Sequence, residues 1–555
     1  NLVSGLIAEK TYYYRCYASN AYASAWFPSS SNFTTLSTPP TTWNVDSSGN
    51  WGTSANWTPV AVPDGAGATV NITYNITTSP RTVTIDSTSR TVGNVTLGDA
   101  DGTDSYILAA SGGATLSFNK VSGSAQINQS GTSAGDSISA PLILEKSVDI
   151  SNASGNPLTI SSGVTAGSAG AKTISNKGAG AGGVTLGGII GNGSGSVVIT
   201  EDSGSSVLTL SGANTFTGGV TITAGKITLN NAGALNSAGG SENSVTFGAA
   251  STGTLTLNGN SIVIRSLDSN VTPGTPAVEN ASASPATLTI GNSANASCAF
   301  AGVIKDGTGG GALSLIKVGT GTLVLSGTNT FTGATTVRAG TLRVAGALAA
   351  GSAVAVGGAG ASGTPTLAGN GTVNGAVNIN SAGGGAAGRI APGNATSGML
   401  TAGNLVLNNT VYLDCDLDAS DQSWGAGNND YIDVAGDLTI NPNLTVAITD
   451  GGNLGDGTYH LIRYGGSLTD NSSSFSGWTV TGAAGYSAVF TNDTINKYID
   501  LILSSPSVNA DWNVNAAGNW SNSGNWNPAV VPGGKNSVVS LDYDITAARI
   551  VTIDG

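Results

Sequence analysis

The sequence predicts an all-β solenoid, in which short strands stack on one another along a chain of 555 residues. One observation is a phrase written twice, LSGANTFTG at 210–218 and LSGTNTFTG at 325–333, each followed by another pair of strands. A unit this short cannot bury its own apolar face, so copies must stack on neighbours. The other observation is the composition, because 82 glycines, 9% charged residues and only short runs of Val, Ile and Leu disfavour helices.

Apolar and hydroxyl residues alternate around both phrases, which is the period of two of a half-buried strand. Phe216 and Phe331 follow the turn and are expected in the core, while glycines such as Gly218 permit the corners. The two phrases are far enough apart for about five coils of roughly 23 residues. The inward positions are expected to be Leu208, Leu210, Ile222, Ile227 and Leu229, and Leu323, Leu325, Val337, Leu342 and Val344.

Charge and composition exclude several classes of function. The net charge is -13, and a phosphate-binding surface would need clustered Lys and Arg, so a nucleic-acid partner is not expected. No apolar run reaches the roughly 18 residues of a membrane-spanning helix. Cys16, Cys298 and Cys415 are widely spaced and form no metal-ligand pattern, so they are interpreted as buried or isolated thiols.

A tryptophan pattern near the start of the sequence returns 469 residues later. The flanking VTID at 83–86 also recurs, at 551–554. We therefore expect the sequence to end inside a second copy of its own beginning, continued by a longer tandem chain or by consecutive subunits. Trp43, Trp51 and Trp57 return as Trp512, Trp520 and Trp526.

The segment from GTGTL at 319–323 through the second phrase to Leu342 is similar to the autotransporter-associated β-strand repeat of secreted bacterial passenger regions. The first copy, 204–229, matches it almost as well, and IAPG at 390–393 and YIDVAG at 431–436 resemble the later coils of such passengers. The resemblance covers most of residues 43–503. It implies a right-handed parallel β-helix outside the cell or on its surface.

The first residues have a different pattern, since TYYYRCYASN at 11–20 and FTT at 33–35 resemble the last strands of a fibronectin type III domain. Half a sandwich would leave an unpaired edge. The predicted organisation is a partial β-sandwich at 1–36, a linker at 37–42, a Trp-capped parallel β-helix at 43–503, a linker at 504–510, and the start of a second Trp-capped copy at 511–555.

Three carboxylates, Asp414, Asp416 and Asp418, are predicted to share the outer face of one strand. Paired carboxylates can act as acid and base on a glycan. A solvated face is the favoured interpretation, because no Arg, Lys or His lies in the same run to tune them. No catalytic residue is therefore assigned.

The run GDADGTD at 98–104 places carboxylates at Asp99, Asp101 and Asp104 around a glycine. Alternating oxygen ligands are what Ca²⁺ needs. The run lacks the later bidentate Glu of an EF-hand, so an acidic turn between strands is favoured, with Ca²⁺ as the alternative and no other cofactor expected.

The six tryptophans are the best binding candidates. Their rings could present flat faces to sugars, but large aromatics carry the greatest apolar burial, so a buried cap at the start of each β-helix is favoured. The single histidine, His460, excludes a multi-histidine metal site within this chain.

Length, rigidity, tandem copies and a lack of catalytic residues together favour a non-enzymatic, extracellular structural fibre. Its expected partner is itself, through end-to-end or lateral homopolymers or tandem copies in one giant chain. The alternatives are a passenger adhesin that binds glycans or surfaces and, less favoured, a β-helix enzyme that degrades polysaccharides.

Overall fold

The computed structural model describes residues 11–34, 39–291, 297–380, 385–393, 397–420, 429–507, 509–533 and 537–553. All five predicted segments contain residues outside these ranges, as does the repeated VTID, whose Asp554 is not described. The chain forms two compact units, Asn1–Leu315 and Ile316–Gly555. Each unit is built almost entirely of short strands, as the composition predicts.

The strands of the first unit are β1 (Thr11–Tyr14), β2 (Tyr17–Ser19), β3 (Ser24–Trp26), β4 (Ser31–Thr34), β5 (Thr41–Trp43), β6 (Gly49–Asn50), β7 (Trp57–Thr58), β8 (Thr69–Ile72), β9 (Arg81–Ile85), β10 (Arg90–Val92), β11 (Asn94–Leu97), β12 (Tyr106–Ala110), β13 (Leu116–Phe118), β14 (Ala125–Gln129), β15 (Ser137–Ile138), β16 (Leu142–Leu144), β17 (Val148–Asn152), β18 (Leu158–Ile160), β19 (Val164–Ala166), β20 (Ala171–Asn176), β21 (Val184–Leu186), β22 (Ile190–Gly193), β23 (Ser196–Glu201), β24 (Val207–Leu210), β25 (Val220–Ile222), β26 (Lys226–Leu229), β27 (Ser244–Phe247), β28 (Thr254–Thr256), β29 (Ile262–Ile264), β30 (Ser266–Ser269), β31 (Ala277–Glu279), β32 (Ala286–Ile290), β33 (Cys298–Phe300) and β34 (Val303–Lys305). A short 3-10 helix, Ser54–Asn56, precedes β7.

The remaining strands are β35 (Leu313–Lys317), within which the boundary between the units falls, β36 (Thr322–Leu325), β37 (Thr328–Asn329), β38 (Thr335–Val337), β39 (Thr341–Val344), β40 (Ala347–Leu348), β41 (Val354–Gly357), β42 (Thr366–Gly369), β43 (Thr372–Asn380), β44 (Arg389–Pro392), β45 (Met399–Leu407), β46 (Tyr412–Leu417), β47 (Tyr431–Val434), β48 (Leu438–Ile440), β49 (Thr445–Asp450), β50 (Gly457–Tyr464), β51 (Leu468–Asp470), β52 (Thr479–Thr481), β53 (Ser487–Asp493), β54 (Tyr498–Ser504), β55 (Ala510–Trp512), β56 (Gly518–Asn519), β57 (Trp526–Asn527), β58 (Val539–Ser540) and β59 (Val551–Thr552). A second 3-10 helix, Ser523–Asn525, precedes β57. No α-helix occurs among the residues described, and none of their helices could span a membrane.

Three sheets contain most of the strands of the first unit. Two of them are ordered β30-β27-β25-β23-β20-β17-β14-β11-β8-β5-β7 and β34-β31-β28-β26-β24-β21-β18-β15-β12-β9-β6, and the third is ordered β10-β13-β16-β19-β22. Strands β8, β9 and β10 form one coil, and each pairs in parallel with its counterpart in the next coil, β11, β12 or β13. Successive coils of parallel strands are the arrangement of a parallel β-helix, which confirms the predicted fold class.

The core of the first unit is a set of apolar columns that run from coil to coil. In one column, every member is at most 1% exposed and pairs in register with the next. The alternation along each strand produces this column, since every second side chain points inward. Its members are Val83, Leu108, Ile138, Ile160, Leu186, Leu210 and Leu229.

Another inward column contains a polar pair. Asn176 and Glu201 face each other in register on β20 and β23, and both are 0% exposed. The Asn176 amide donates to Oε2 of Glu201 at 2.8 Å, and the Ser203 amide donates to Oε1 at 2.9 Å. Burial raises the pKa of Glu201 to about 8.

The twin phrases occupy equivalent places in their coils. Leu208 pairs with Ile227 in the first, and Leu323 pairs with Leu342 in the second. All ten inward positions predicted for the two phrases are buried, and Phe216 and Phe331 are fully buried in the core as well.

Coil length varies around the expected value. Leu210 pairs with Leu229, 19 residues on, whereas Leu108 pairs with Ile138, 30 residues on. The close approach of neighbouring coils also explains a corner glycine, because a Cβ on Gly218 would overlap the carbonyl oxygen of Val197.

The second unit continues the same type of pairing. One of its series of strands is ordered β36-β39-β42-β44-β46-β49-β52, and another is β38-β41-β43-β45-β47-β50-β54-β53, which ends in two antiparallel pairings. Two further small sheets, β57-β55-β58 and β56-β59, contain the second tryptophan pattern.

The first residues form antiparallel pairs. Strand β1 pairs with β4 and β2 pairs with β3, with the rings of Tyr17 and Trp26 4.8 Å apart. The side chain of Arg15 also donates to the carbonyl oxygen of Phe27 at 3.1 Å. The likeness to a fibronectin type III domain stays a prediction.

We expect the stability of the first unit to fall with rising pH because of Glu201. Its pKa is about 8 in the folded chain and 4.5 ordinarily, so between these values the folded state holds a proton that the unfolded state has lost. The unfolding free energy should fall by at most about 1.4 kcal/mol per pH unit in this range and level off above it. Urea unfolding measured across the range gives the slope.

The matched control is Glu201→Gln, which cannot titrate. As the pH rises, the unfolding free energy of the wild-type chain should fall relative to that of the variant. A difference that is independent of pH would contradict the assignment.

Candidate functional site

The first set of tryptophans forms one buried cluster. Trp43, Trp51 and Trp57 are each 0% exposed, and their rings meet edge to face at 5.1 Å for Trp43 and Trp57 and 5.0 Å for Trp51 and Trp57. Their indole N–H groups donate to the carbonyl oxygens of Val45, Pro63 and Trp51 at 3.0, 2.9 and 2.7 Å. No indole of this set presents a ring face to solvent.

The second set repeats these contacts. The rings of Trp512 and Trp526 are 5.0 Å apart, and those of Trp520 and Trp526 are 4.8 Å apart. Their N–H groups donate to the carbonyl oxygens of Val514, Pro532 and Trp520. Trp512 and Trp526 are buried and Trp520 is partly buried, so the two sets share one local structure.

In each set, two of the tryptophans lie opposite each other on a pair of antiparallel strands. In the first, β5 pairs in parallel with β8 on one side and antiparallel with β7 on the other, so that Trp43 lies opposite Trp57. In the second, β55 pairs in the same way with β58 and β57, and Trp512 lies opposite Trp526. The strand at one edge of each sheet, β7 or β57, is therefore a short antiparallel one, which protects that edge.

The acidic turn is closed by hydrogen bonds of the protein itself. Asp99 is 0% exposed, and its carboxylate accepts from the backbone N–H groups of Ile76, Gly102 and Thr103 at 2.9, 3.1 and 3.2 Å. Buried carboxylates are stabilised by such backbone donors.

The other two carboxylates of this turn lie at its surface. Asp101 accepts from the backbone N–H and the hydroxyl of Thr103 at 3.1 and 2.8 Å, and Asp104 accepts from the same hydroxyl at 3.1 Å. A hydrogen bond with the side chain of Asp99 is the main cause that lowers the pKa of Asp101 to about 2. In the described part of the chain, no group of three or more His, Cys, Asp or Glu residues could hold a metal ion.

The predicted row of carboxylates on β46 is only partly correct. Asp414 and Asp416 point outward, while Cys415 between them is buried. Asp418 lies one residue beyond the strand and is only 8% exposed, and its Oδ1 accepts from the side chain of Asn453 at 2.7 Å. The expectation that all three share the outer face was wrong because the strand ends before Asp418.

A neighbouring strand supplies an arginine to Asp414, although no Arg, Lys or His lies beside Asp414 in the sequence. Nε of Arg389 on β44 donates to Oδ2 of Asp414 at 2.9 Å, and its guanidinium lies 4.2 Å from the ring centre of Tyr412. Arg389 and Tyr412 are partners in register. Residues on adjacent coils meet in this way although the sequence separates them.

Asp430 is a further carboxyl group at this place. It is 2% exposed, and it accepts from the backbone N–H groups of Gly398 and Asp416 at 2.7 and 2.9 Å. Burial raises the pKa of Asp430 to about 7, although these two hydrogen bonds act against the rise. Sequence reasoning missed Asp430, because no spacing rule connects it with β46.

These side chains line a groove of about 590 Å³ on the outside of the second unit. Its size is typical of ligand sites. Among the residues that line it are Thr341, Thr366, Arg389, Asp414, Asp416 and Asp430.

The asparagine shared by the twin phrases was also missed. Asn214 is buried, its carbonyl oxygen accepts from the N–H of Ile190 at 2.8 Å, and its amide donates to the carbonyl of Ala234 at 2.7 Å. Asn329 is equally buried and donates to the carbonyl of Ala347 at 3.1 Å. The asparagine occupies the same position in both phrases, and this recurrence could have indicated its role. A buried polar side chain needs hydrogen-bond partners, which the backbone can supply.

His460 and the cysteines complete the candidates. Nδ1 of His460 lies 2.7 Å from a carboxylate oxygen of Asp500. Cys298 and Cys415 are buried, and Cys16 is exposed.

Comparison with known proteins finds one matching repeat family and one relative that is named as an adhesin. Residues 202–229 and 315–344 match the passenger-associated-transport-repeat family. An 85-residue segment, 15% of the chain, is 45% identical to the adhesin BmaC autotransporter of Brucella suis biovar 1 (strain 1330). The aligned segment covers 2% of that relative's length.

These matches confirm the predicted resemblance to autotransporter passenger repeats, and they support an extracellular or cell-surface location. Residues 202–229 and 315–344 are therefore similar to the repeats of autotransporter passengers.

We expect Asn214→Ala and Asn329→Ala each to destabilise their unit by about 1–3 kcal/mol, because buried backbone groups of adjacent coils lose a partner. Thr215→Ala is the matched control next to Asn214, since this side chain is exposed, and it should cost less than about 0.5 kcal/mol. Urea unfolding followed by circular dichroism measures the differences. Equal effects of Asn214→Ala and Thr215→Ala would contradict a structural role for the asparagine.

Proposed function

We propose that this chain is a non-catalytic, structural segment of an extracellular bacterial surface fibre. In this proposal, residues 43–503 are one Trp-capped β-helix, 504–510 a linker, and 511–555 the start of the next copy. The observation that carries the proposal is the second tryptophan set, which repeats the hydrogen bonds of the first one by one.

Equivalent apolar residues differ in their exposure between the two copies. Ile72 is 0% exposed in the first copy, whereas the equivalent Leu541 is 59% exposed. Ile85 is likewise 0% exposed, and the equivalent Ile553 is 79% exposed. Such apolar positions are stable when another strand covers them.

The first copy shows what provides that cover. Leu97 pairs with Ile72, and Ala110 pairs with Ile85, both from the following coil. The proposed fibre supplies an equivalent coil to residues 511–553, either from the same giant chain or from another subunit. The first arrangement gives tandem copies, and the second a noncovalent homopolymer.

No catalytic role is proposed because Asp414, Asp430 and His460, which could act as acid or base, already have partners within the protein. Asp414 is paired with Arg389, and Asp430 already accepts two backbone hydrogen bonds. His460 is paired with Asp500 on the antiparallel strands β50 and β54. The relative's name and the passenger repeat agree with a non-enzymatic role.

Adhesion is the second candidate function. The observation that favours it is the similarity to a relative named as an adhesin. A β-helix fibre and an adhesive passenger share the same architecture and differ in whether the surface binds a target. The two functions are compatible in one molecule.

We expect electron microscopy of the native material to show uniform filaments, because each open coil is covered by another. The mass of the denatured chain from the same preparation distinguishes the two arrangements. Chains far heavier than 54.4 kDa indicate tandem copies, and chains near that mass indicate a noncovalent polymer.

Short separate rods without filaments would contradict the fibre and leave the adhesin as the better function. Release of sugars from a polysaccharide by the purified chain would contradict the non-catalytic assignment.

A further inference from the structure

The groove on the second unit lies across several coils. Thr341, Thr366, Arg389 and Tyr412 are partners in register on consecutive strands, which places their side chains in one outward row. Neighbouring parallel strands are about 4.8 Å apart, so polar groups repeat at that interval along the groove.

The floor of the groove allows close approach. Ala391 and Ala447 line it with small side chains between the row of Arg389 and the carboxylate of Asp416. A flat ring can therefore contact the sheet here while polar groups at its edge reach hydrogen-bonding partners. Apolar floor with a few convergent polar groups is typical of ligand sites.

Unused hydrogen-bond acceptors point to a ligand that donates. Oδ1 of Asp414 is buried and has no hydrogen-bond partner among the described residues. Asp416 lines the same groove, and the structure gives its carboxylate no donor within the part of the chain that it describes. The Asp414 oxygen is closed off from the groove, whereas Asp416 is partly exposed, so Asp416 is the acceptor that a ligand can reach.

The charge of the groove restricts the ligand. Among the described residues that line it, Arg389 is the one cation, and its guanidinium is already engaged by Asp414 and by the ring of Tyr412. Asp416 leaves the groove with a negative charge, so an acidic ligand would be repelled. Hydroxyl groups, which donate to carboxylates without carrying charge, fit this acceptor.

We propose that this groove binds a neutral, hydroxyl-rich oligosaccharide, with the carboxylate of Asp416 accepting hydrogen bonds from its hydroxyl groups. The inference deepens the proposed surface function by naming a ligand class, and it rests on that function only for the presence of glycans around the chain. It assigns the sugar contact to residues far in sequence from either tryptophan set.

The test is a glycan array that carries neutral and acidic oligosaccharides, probed with the full chain, followed by calorimetry with the neutral glycan that binds best. Asp416→Asn should weaken binding at least tenfold, because an amide is a poorer acceptor for hydroxyl groups than a carboxylate. Ala447→Leu should abolish it by filling the floor.

The matched control is Asp149→Asn, which alters an outward carboxylate on the parallel strand β17, outside the groove. It should leave the affinity within about twofold, since Asp149 does not line the groove. Circular dichroism verifies that each variant is folded.

Three results would overturn the proposal: no neutral glycan is bound, acidic glycans alone are bound, or Asp416→Asn and Ala447→Leu bind as tightly as the wild-type chain. Filament formation does not depend on the groove. Normal filaments without glycan binding would therefore reject the glycan site and support the fibre. Glycan binding without filaments would support the glycan site and reject the fibre.

Discussion

The structure depends on one constraint, which is that each coil is covered in register by the next. The apolar column from Val83 to Leu229 is buried because every member pairs with its counterpart one coil away. No coil could bury this face alone, so the free energy of burial belongs to the stack rather than to any coil.

Close stacking also determines where polar groups are tolerated. Asn214, Asn329 and Asp99 are buried, and each forms hydrogen bonds with backbone groups. Asn214 and Asp99 lie outside the strands, whereas Asn329 is the last residue of the two-residue strand β37. Glu201 is different, because it faces Asn176 within a sheet and stays protonated over much of the neutral range. Buried polar groups are retained in such a core only when they have partners.

Strands, their inward positions and the two repeats could be predicted from the sequence, because alternation within a strand is a local property. The site could not, because it depends on which strands become neighbours. Arg389 and Asp414 lie on separate coils and are in contact. Because coil lengths differ, their spacing in the sequence does not predict this contact. Asp418 was assigned to the wrong face because β46 ends at Leu417, so the alternation of the strand no longer determines the direction of the next side chain.

X-ray diffraction from aligned filaments would show whether the coils stack along the axis of a fibre. A strong reflection is expected at about 4.8 Å along the filament axis, because parallel strands of successive coils are separated by that distance. A reflection of the same spacing perpendicular to the axis would mean that the strands run along the filament. That result would contradict a fibre built by stacking coils end to end.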